Sequence, residues 1–231
     1  MAIQESLYLT TLFVASITAI LGLILVNHLI KTKKYFDNRL VFIFSFLTFG
    51  YVCFALAELA WYLLFKVFNQ APTVSMPDFY WVMGSLSLLL GFSTFSFHTH
   101  REHGDIRTTM LLLVFGTVVL GAVLYYVLGS NIGSTEGSVF LSYYYPIMSS
   151  LILIASLSVY LFQEKIALFH ANLLLLFIAN IAFLLGDLFV IDNSAVSGFG
   201  LTGILPESMY ILAYILCAYS FLSMLLKTRT Q

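Results

Sequence analysis

The chain has 231 residues, of which 61% are hydrophobic, 16% are aromatic and only 9% are Asp, Glu, Lys or Arg. Soluble domains carry about 25% charged residues, so this composition, with a mean hydropathy of +0.98, excludes an ordinary soluble protein and indicates an integral membrane protein. The formal net charge of −1 gives no sign of a nucleic-acid partner.

Long apolar stretches predict membrane-spanning helices along the whole chain. A helix needs about 20 apolar residues to cross the hydrocarbon core of a bilayer. Seven stretches meet this requirement: 7–30, 40–65, 79–98, 109–128, 142–162, 167–190 and 208–226. Among the Asp, Glu, Lys and Arg residues, only Glu58 and Asp187 fall inside them. The sequence therefore predicts an all-α, multi-pass protein of the cell membrane, with one seven-transmembrane-helix bundle over residues 1–231.

Basic residues follow the odd-numbered spans. They are Lys31, Lys33, Lys34, Arg39, Arg101, Arg107, Lys165, Lys227 and Arg229. The loops after the even spans carry the acids Asp78, Glu136, Asp192 and Glu207, with Lys66 the one base near them. Since basic loops stay in the cytoplasm, we predict an outside N-terminus and a cytoplasmic C-terminus. Only five residues follow the last span, so no output domain is expected within this chain.

Polar and small side chains at helical spacing predict which helix faces look inward. On span three they form a stripe along the full helix, which predicts a central position: Tyr80, Gly84, Ser87, Gly91, Thr94 and His98. Span four is almost wholly aliphatic and is predicted to lie at the periphery. The other predicted inward faces contain Thr11, Ala15, Thr18 and Gly22; Tyr51, Phe54, Glu58, Trp61, Tyr62 and Phe65; Ser142, Pro146, Ser149, Ser156 and Tyr160; Asn172, Asn180 and Asp187; and Tyr210, Tyr214, Cys217 and Phe221.

Two carboxylates and many aromatic rings are predicted to share the outer half of the bundle. An ionisable group inside a span indicates function, and an acid among aromatic rings suits a proton or an organic cation. The predicted ligand-binding residues are Glu58, Trp61, Tyr62, Tyr80, Ser87, Tyr145, Asn180, Asp187, Tyr210 and Tyr214. The alternative is structural anchoring, because Tyr and Trp concentrate at membrane interfaces in proteins without any ligand.

The five histidines are predicted to lie near the cytoplasmic side, where they raise the question of a metal or haem. The candidates are His28, His98 and His170. No HxxxH pair shares a helix face, so interfacial polar side chains are the favoured interpretation and no metal or haem cofactor is expected. Span seven has no lysine for a Schiff base, which excludes covalent retinal. No nucleophile, zinc-protease or phosphate-loop motif occurs, so an enzyme is not favoured.

The stretch from Ala55 to Leu90, ALAELAWYLLFKVFNQAPTVSMPDFYWVMGSLSLLL, resembles a known family. This family is the seven-helix sensory domain that stands ahead of histidine kinase or diguanylate cyclase modules in archaeal and bacterial signalling proteins. Glu58 and Trp61 match its acid and Trp late in helix two. The remaining matches are Asp78, Phe79, Tyr80 and Gly84 at helix three, Tyr145 and Pro146 at helix five, and Gly186 and Asp187 at helix six. The resemblance implies a sensory role.

These observations lead to one functional prediction with two alternatives. We predict a non-enzymatic, receptor-like sensory module with an outer acidic and aromatic pocket for a small molecule or a proton. It would act through a separate membrane or cytoplasmic protein partner, within the lipid bilayer. The first alternative is a structural or accessory subunit of a larger membrane complex. The second is a haem- or metal-binding membrane enzyme.

Overall fold

The computed structural model describes residues 2–32, 38–69, 75–130, 139–162, 170–192 and 204–229. Every element in these ranges is helical: α1 (Ala2–Lys31), α2 (Asn38–Tyr62) with a π-helical turn (Leu63–Val67), α3 (Met76–His103), α4 (Ile106–Ser130), α5 (Val139–Phe162), α6 (His170–Asp192) and α7 (Ile204–Arg229). All seven α-helices are long and apolar enough to cross a membrane. The predicted seven-helix membrane fold is confirmed.

Helices α3 and α7 both begin before the predicted positions, 79 and 208, and each takes an acidic residue into its first turn. Ser75 is the N-cap of α3, and its backbone N–H donates to Asp78 Oδ2 at 2.8 Å. Asp78 therefore lies in the first turn of α3 and not ahead of the helix. Helix α7 begins at Ile204, four residues earlier than the predicted 208, which brings Glu207 into its first turn. A proline is accepted in the first turn because its missing N–H has no helical partner there, and Pro206 follows this rule.

Six of the helices form a closed ring in the order α1, α2, α3, α5, α6, α7, and α7 packs back on α1. Among the described residues, α4 packs on the outside of this ring, against α5 and α6 alone. The smallest buried share of the seven spans, 17%, also belongs to α4. The peripheral position predicted for α4 is thus confirmed.

The central position predicted for α3 is wrong, because α3 takes one place in the ring, between α2 and α5. The small residues of α3 allow it to pack closely against α2. They do not place α3 on the axis of the bundle. Cβ atoms added to Gly50 and Gly84 would lie 3.0 and 2.9 Å from the backbone oxygen of the other glycine. Ser87 Oγ donates to the Phe46 carbonyl oxygen of α2 at 2.8 Å, in the same contact.

Aromatic side chains from facing helices fill the middle of the ring. The Tyr51 ring of α2 meets Phe221 of α7 edge-on at 5.5 Å. On α6, Phe183 approaches Phe54 at 5.8 Å and Tyr214 at 5.1 Å. The buried Cys217 thiol lies 3.0 Å from the Tyr51 hydroxyl. Interlocking rings therefore occupy the axis that α3 was predicted to hold.

Most residues of the predicted inward faces are buried. They include Thr11, Ala15 and Thr18 of α1, Gly84, Ser87 and Gly91 of α3, Asn172 and Asn180 of α6, and Tyr214, Cys217 and Phe221 of α7. The remaining described residues of these faces are half-buried, except Thr94, whose side chain is exposed. A threonine hydroxyl can bond a carbonyl of its own helix, so a helical face need not place every polar residue inward. The side chain of Phe65 lies outside the described residues.

Candidate functional site

Four acidic side chains from four helices lie at the end of the bundle where α1 and α7 begin, which we call the N-terminal end. We call them the carboxyl cluster: Glu58 of α2, Asp78 of α3, Asp187 of α6 and Glu207 of α7. Each accepts a hydrogen bond from a hydroxyl group of another helix. Such pairing is what a carboxyl group needs in order to lie among apolar helices.

Asp187 connects three helices through its two carboxylate oxygens. The Tyr210 hydroxyl of α7 donates to Oδ1 at 2.8 Å, and the Ser149 hydroxyl of α5 donates to Oδ2. The neighbouring Gly186 makes room for this bond. A Cβ there would lie 2.5 Å from Cε1 of the Tyr210 ring, so the ring can reach the carboxylate only because residue 186 has no side chain.

Glu58 of α2 is bonded to α7 one helical turn beyond Tyr210, at Tyr214. The Tyr214 hydroxyl donates to Glu58 Oε1 at 3.3 Å, and the Trp81 indole of α3 lies near the same carboxyl group. The inward position predicted for Glu58 is confirmed, and its hydrogen-bond partner is Tyr214. Since Tyr210 and Tyr214 are successive turns of one helix face, α7 carries the donors for both intramembrane acids.

The other two members of the cluster lie in first helical turns. The Thr11 hydroxyl of α1 donates to Glu207 Oε2 at 2.6 Å. The Tyr145 hydroxyl of α5 donates to Asp78 Oδ1 at 2.9 Å, and the Tyr145 ring lies edge-on to Trp81 at 6.3 Å. Tyr210 is within electrostatic range of Asp187, Glu207 and Glu58, and Glu58 and Glu207 are within electrostatic range of each other.

A proton or a cation at the carboxyl cluster would change its hydrogen bonds. An ionised carboxylate only accepts hydrogen bonds, whereas a protonated one also donates. A proton placed on Asp187 would make its oxygens weaker acceptors for Tyr210 and Ser149. A cation next to Glu58 would likewise draw the carboxylate away from Tyr214. Either event changes the bonds that hold α7 to α2 and α6.

Other predicted ligand-binding residues make contacts outside this network. Trp61 packs on Tyr8 of α1, with ring centroids 4.5 Å apart, and Tyr62 is half-buried at the end of α2. Tyr80 lies edge-on to Phe79 at 5.7 Å. Ser87 holds α3 to α2, as described above, and is not brought to the carboxyl cluster.

Asn180 is the one predicted ligand-binding residue with an unsatisfied atom. Its side chain is 2% exposed, and its amide nitrogen has no hydrogen-bond partner among the described residues. Seven residues, or about 10 Å of helix, separate it from Asp187. It therefore lies deeper in the bundle than the carboxyl cluster.

Asp78 and Glu207 belong to the cluster, although the sequence predicts both of them in loops. Both follow a proline at the start of a helix, Pro77 and Pro206, and this proline was the signal that could have placed them in first turns. Thr11 and Ser149 were predicted to face inward, but nothing in the sequence pairs either with a particular acid. Contacts between residues so distant in sequence depend on the order of helices in the ring.

The histidine candidates have ordinary polar or aromatic neighbours. His28 Nε2 lies 3.5 Å from the Thr228 carbonyl oxygen, His98 lies beside Arg39, and the His100 ring packs on Phe162 at 4.8 Å. The His170 side chain lies outside the described residues. Within the described part of the chain, no group of three His, Cys, Asp or Glu side chains could hold a metal ion.

No protein-family model, curated protein or solved structure matches this chain. The resemblance to the seven-helix sensory domains therefore stays a prediction, carried by Glu58, Trp61 and the residues around Asp78. The function has to be argued from the carboxyl cluster itself.

Proposed function

We propose that the protein is a non-enzymatic, receptor-like sensory module of the membrane whose carboxyl cluster takes up a proton or an organic cation. The observation that supports this most is the pairing of Glu58 and Asp187 with Tyr214 and Tyr210. Two acids of two helices depend on successive turns of a third helix. Neutralising the acids at this point changes how α7 is held.

Helix α7 is suited to carry such a change along its length. The Tyr214 carbonyl oxygen accepts a bond from Thr18 of α1 at 3.0 Å, so a shift at Tyr214 also reaches α1. At the far end of α7, Lys227 Nζ bonds Asn172 Oδ1 of α6 at 2.7 Å. In the predicted orientation that end faces the cytoplasm, where a separate partner protein would receive the signal.

Structural anchoring within a larger membrane complex is the second candidate function. It is favoured by one observation, namely that every member of the carboxyl cluster already accepts a hydroxyl from a neighbouring helix. In an accessory subunit these bonds would serve to hold six helices in register and would not change with conditions. The two functions differ in whether the hydrogen bonds of the carboxyl cluster change when a proton or an organic cation is added.

Trp81 provides a reporter for this response, because it lies against Glu58 and Tyr145. The chain has two tryptophans, so the Trp61→Phe variant leaves Trp81 as the single emitter while keeping an aromatic ring against Tyr8. The purified variant in detergent is titrated with acid, and separately with tetraethylammonium as the probe cation. A sensing site predicts a saturable change in Trp81 emission in at least one titration.

Glu58→Gln in the same background should abolish that change while keeping the fold, since the amide oxygen still accepts from Tyr214. The matched control is Glu5→Gln, which removes an exposed acid near the start of α1. Emission that is flat in both titrations, or that still changes in the Glu58→Gln variant, would contradict the sensory proposal. A flat response together with stable copurification of other membrane subunits would favour anchoring.

A further inference from the structure

A basic cleft lies at the end of the bundle opposite the carboxyl cluster. It has a volume of about 380 Å³ and is lined by Arg39 of α2 and by Phe97, His98 and Arg101 of α3. The proposed sensory function makes no use of this cleft. Both arginines are exposed, so a ligand can reach them.

The cleft lies at the boundary of the apolar part of the bundle. Arg39 is the second residue of α2, and Arg101 is the last residue of the apolar span of α3. Both guanidinium groups therefore stand where the hydrocarbon-facing surface ends, at the level of lipid headgroups. Arg39 and Arg101 come from α2 and α3, which are neighbouring helices that run in opposite directions. These two helices form one of the closest contacts in the bundle.

Large exposed aromatic residues lie one helical turn deeper than each arginine. Phe97, four residues before Arg101, is 71% exposed, and Phe42, three residues after Arg39, is 55% exposed. One turn corresponds to about 5 Å toward the membrane centre. A molecule that is anionic at its head and apolar below would match both the charges and the rings.

His98 of α3 contacts Arg39 of α2 at the cleft. Nη1 of Arg39 lies 3.3 Å from Nδ1 and 3.4 Å from Nε2 of the imidazole. A guanidinium group carries five N–H donors in a fixed planar fork, so it can serve an imidazole and an anion at once. The contact places the Arg39 guanidinium group beside α3, the helix that carries Arg101.

We propose that this cleft binds the phosphate of an anionic phospholipid, with Arg39 and Arg101 on the phosphate oxygens and an acyl chain against Phe97. Guanidinium groups pair with phosphate through parallel charge-assisted hydrogen bonds. Basic pockets between helices on the cytoplasmic side are typical places for such headgroups, and the predicted orientation puts the cleft on that side. A soluble phosphate would use the arginines but would leave Phe97 without a role.

The test compares lipids that share an acyl chain and differ in headgroup charge. The purified protein in a neutral detergent is titrated with dioleoylphosphatidylglycerol, with dioleoylphosphatidylcholine and with inorganic phosphate, and its thermal unfolding is followed. We expect phosphatidylglycerol to raise the midpoint saturably and the other two to have little effect. Equal stabilisation by phosphatidylcholine, or full stabilisation by inorganic phosphate alone, would overturn the proposal without any variant.

The variants Arg39→Gln and Arg101→Gln test whether the stabilisation by phosphatidylglycerol arises at the cleft. Each should weaken phosphatidylglycerol binding about fivefold, as expected for one charge near a membrane surface. The matched control is Arg107→Gln, an exposed arginine at the same end of the bundle on α4 and outside the cleft. Unfolding in phosphatidylcholine checks that each variant is folded. An equal loss of binding in Arg107→Gln would mean that only the general positive field of this end attracts the lipid.

Discussion

At the scale of single residues, tyrosine hydroxyls allow two carboxyl groups to lie within an apolar bundle. A tyrosine combines a large apolar ring with a donor at its tip, so it can fill core space and still reach an acid. Tyr214 does both, since its ring meets Phe183 and its hydroxyl meets Glu58. Phenylalanine would fill the same space and leave the acid without its donor.

Removing the Tyr210 hydroxyl should therefore destabilise the protein. In Tyr210→Phe the Asp187 carboxylate keeps Ser149 but loses its donor from α7, and we expect the free energy of unfolding in detergent to fall by about 1–3 kcal/mol. Tyr219→Phe is the matched control, because Tyr219 lies on the same helix and is 60% exposed. Similar losses in the two variants would show that the Asp187 bond contributes little.

Sequence patterns could identify the inward residues but could not pair them. Helical spacing placed Glu58, Asp187, Tyr210 and Tyr214 on inward faces, because the polar residues of a membrane bundle avoid lipid. Which tyrosine bonds which acid depends on helix rotation and on the order of helices around the ring. The role of Gly186 was hidden for the same reason, since a glycine in a sequence does not reveal which ring lies against it.

At the scale of helices, α2 and α3 approach closely because glycines remove the side chains between their backbones. Gly84 faces the carbonyl oxygen of Gly50 and the ring of Phe54. Helix association in a bilayer lacks a hydrophobic driving force between helices, so it depends on such close packing. The contact also positions the aromatic rings that extend into the axis of the ring.

Gly84→Ala should disrupt this contact. The added Cβ would lie 2.9 Å from a backbone oxygen and 2.4 Å from Phe54, and overpacking of this kind costs about 1–3 kcal/mol. Gly121→Ala on α4 is the control, because nothing lies within 4 Å of the added Cβ. There the helix should gain up to about 1 kcal/mol from the better helix former. Thermal unfolding of both variants measures the difference, and equal midpoints would exclude a tight α2–α3 contact.

The start of α4 depends on Asp105, which lies outside the membrane-spanning segments. The Thr108 backbone N–H donates to Oδ1 at 2.8 Å, and the Thr108 hydroxyl donates to Oδ2 at 2.7 Å. The backbone bond, followed by the hydroxyl bond, lowers the pKa of the Asp105 carboxyl. A lowered folded-state pKa means that the stabilisation is present above the unfolded-state pKa and is lost as the pH falls through the folded-state value.

Asp105→Ser should keep a cap that does not titrate, whereas Asp105→Ala should remove the cap. We expect the wild type to lose its advantage over the alanine variant below about pH 4, the ordinary range of an aspartate. The serine variant should keep its own advantage over alanine across that range. Unfolding midpoints measured against pH check this, and a pH-independent gap between wild type and alanine would contradict it.

At the scale of the whole molecule, the number of spans and the peripheral α4 could be predicted from hydropathy alone. The place of α3 could not be. A stripe of small residues indicates that a helix has a close neighbour. A single close neighbour is enough to explain such a stripe, so the stripe does not imply a central position. The closed ring arises from contacts between α3 and α5 and between α1 and α7, which no local pattern encodes.

The predicted orientation can be tested with tags at the two sides of the bundle. Because bases follow the odd-numbered spans, a tag fused after Gln231 should be protected from protease added to intact cells. A tag inserted after Gly133, between α4 and α5, should be cleaved under the same conditions. The reverse pattern would invert the orientation and would move the basic cleft to the outer leaflet.

The bond between Glu58 and Tyr214 has a consequence for how the protein is made. The two residues are 156 positions apart in the chain, and at synthesis rates of about 5–20 residues per second the acid waits roughly 8–30 s for its donor. During that time α2 has already been released toward the membrane, while α7 is still inside the ribosome. Nascent chains interrupted before α7 therefore lack the Tyr214 donor for a carboxyl group that lies within the bilayer.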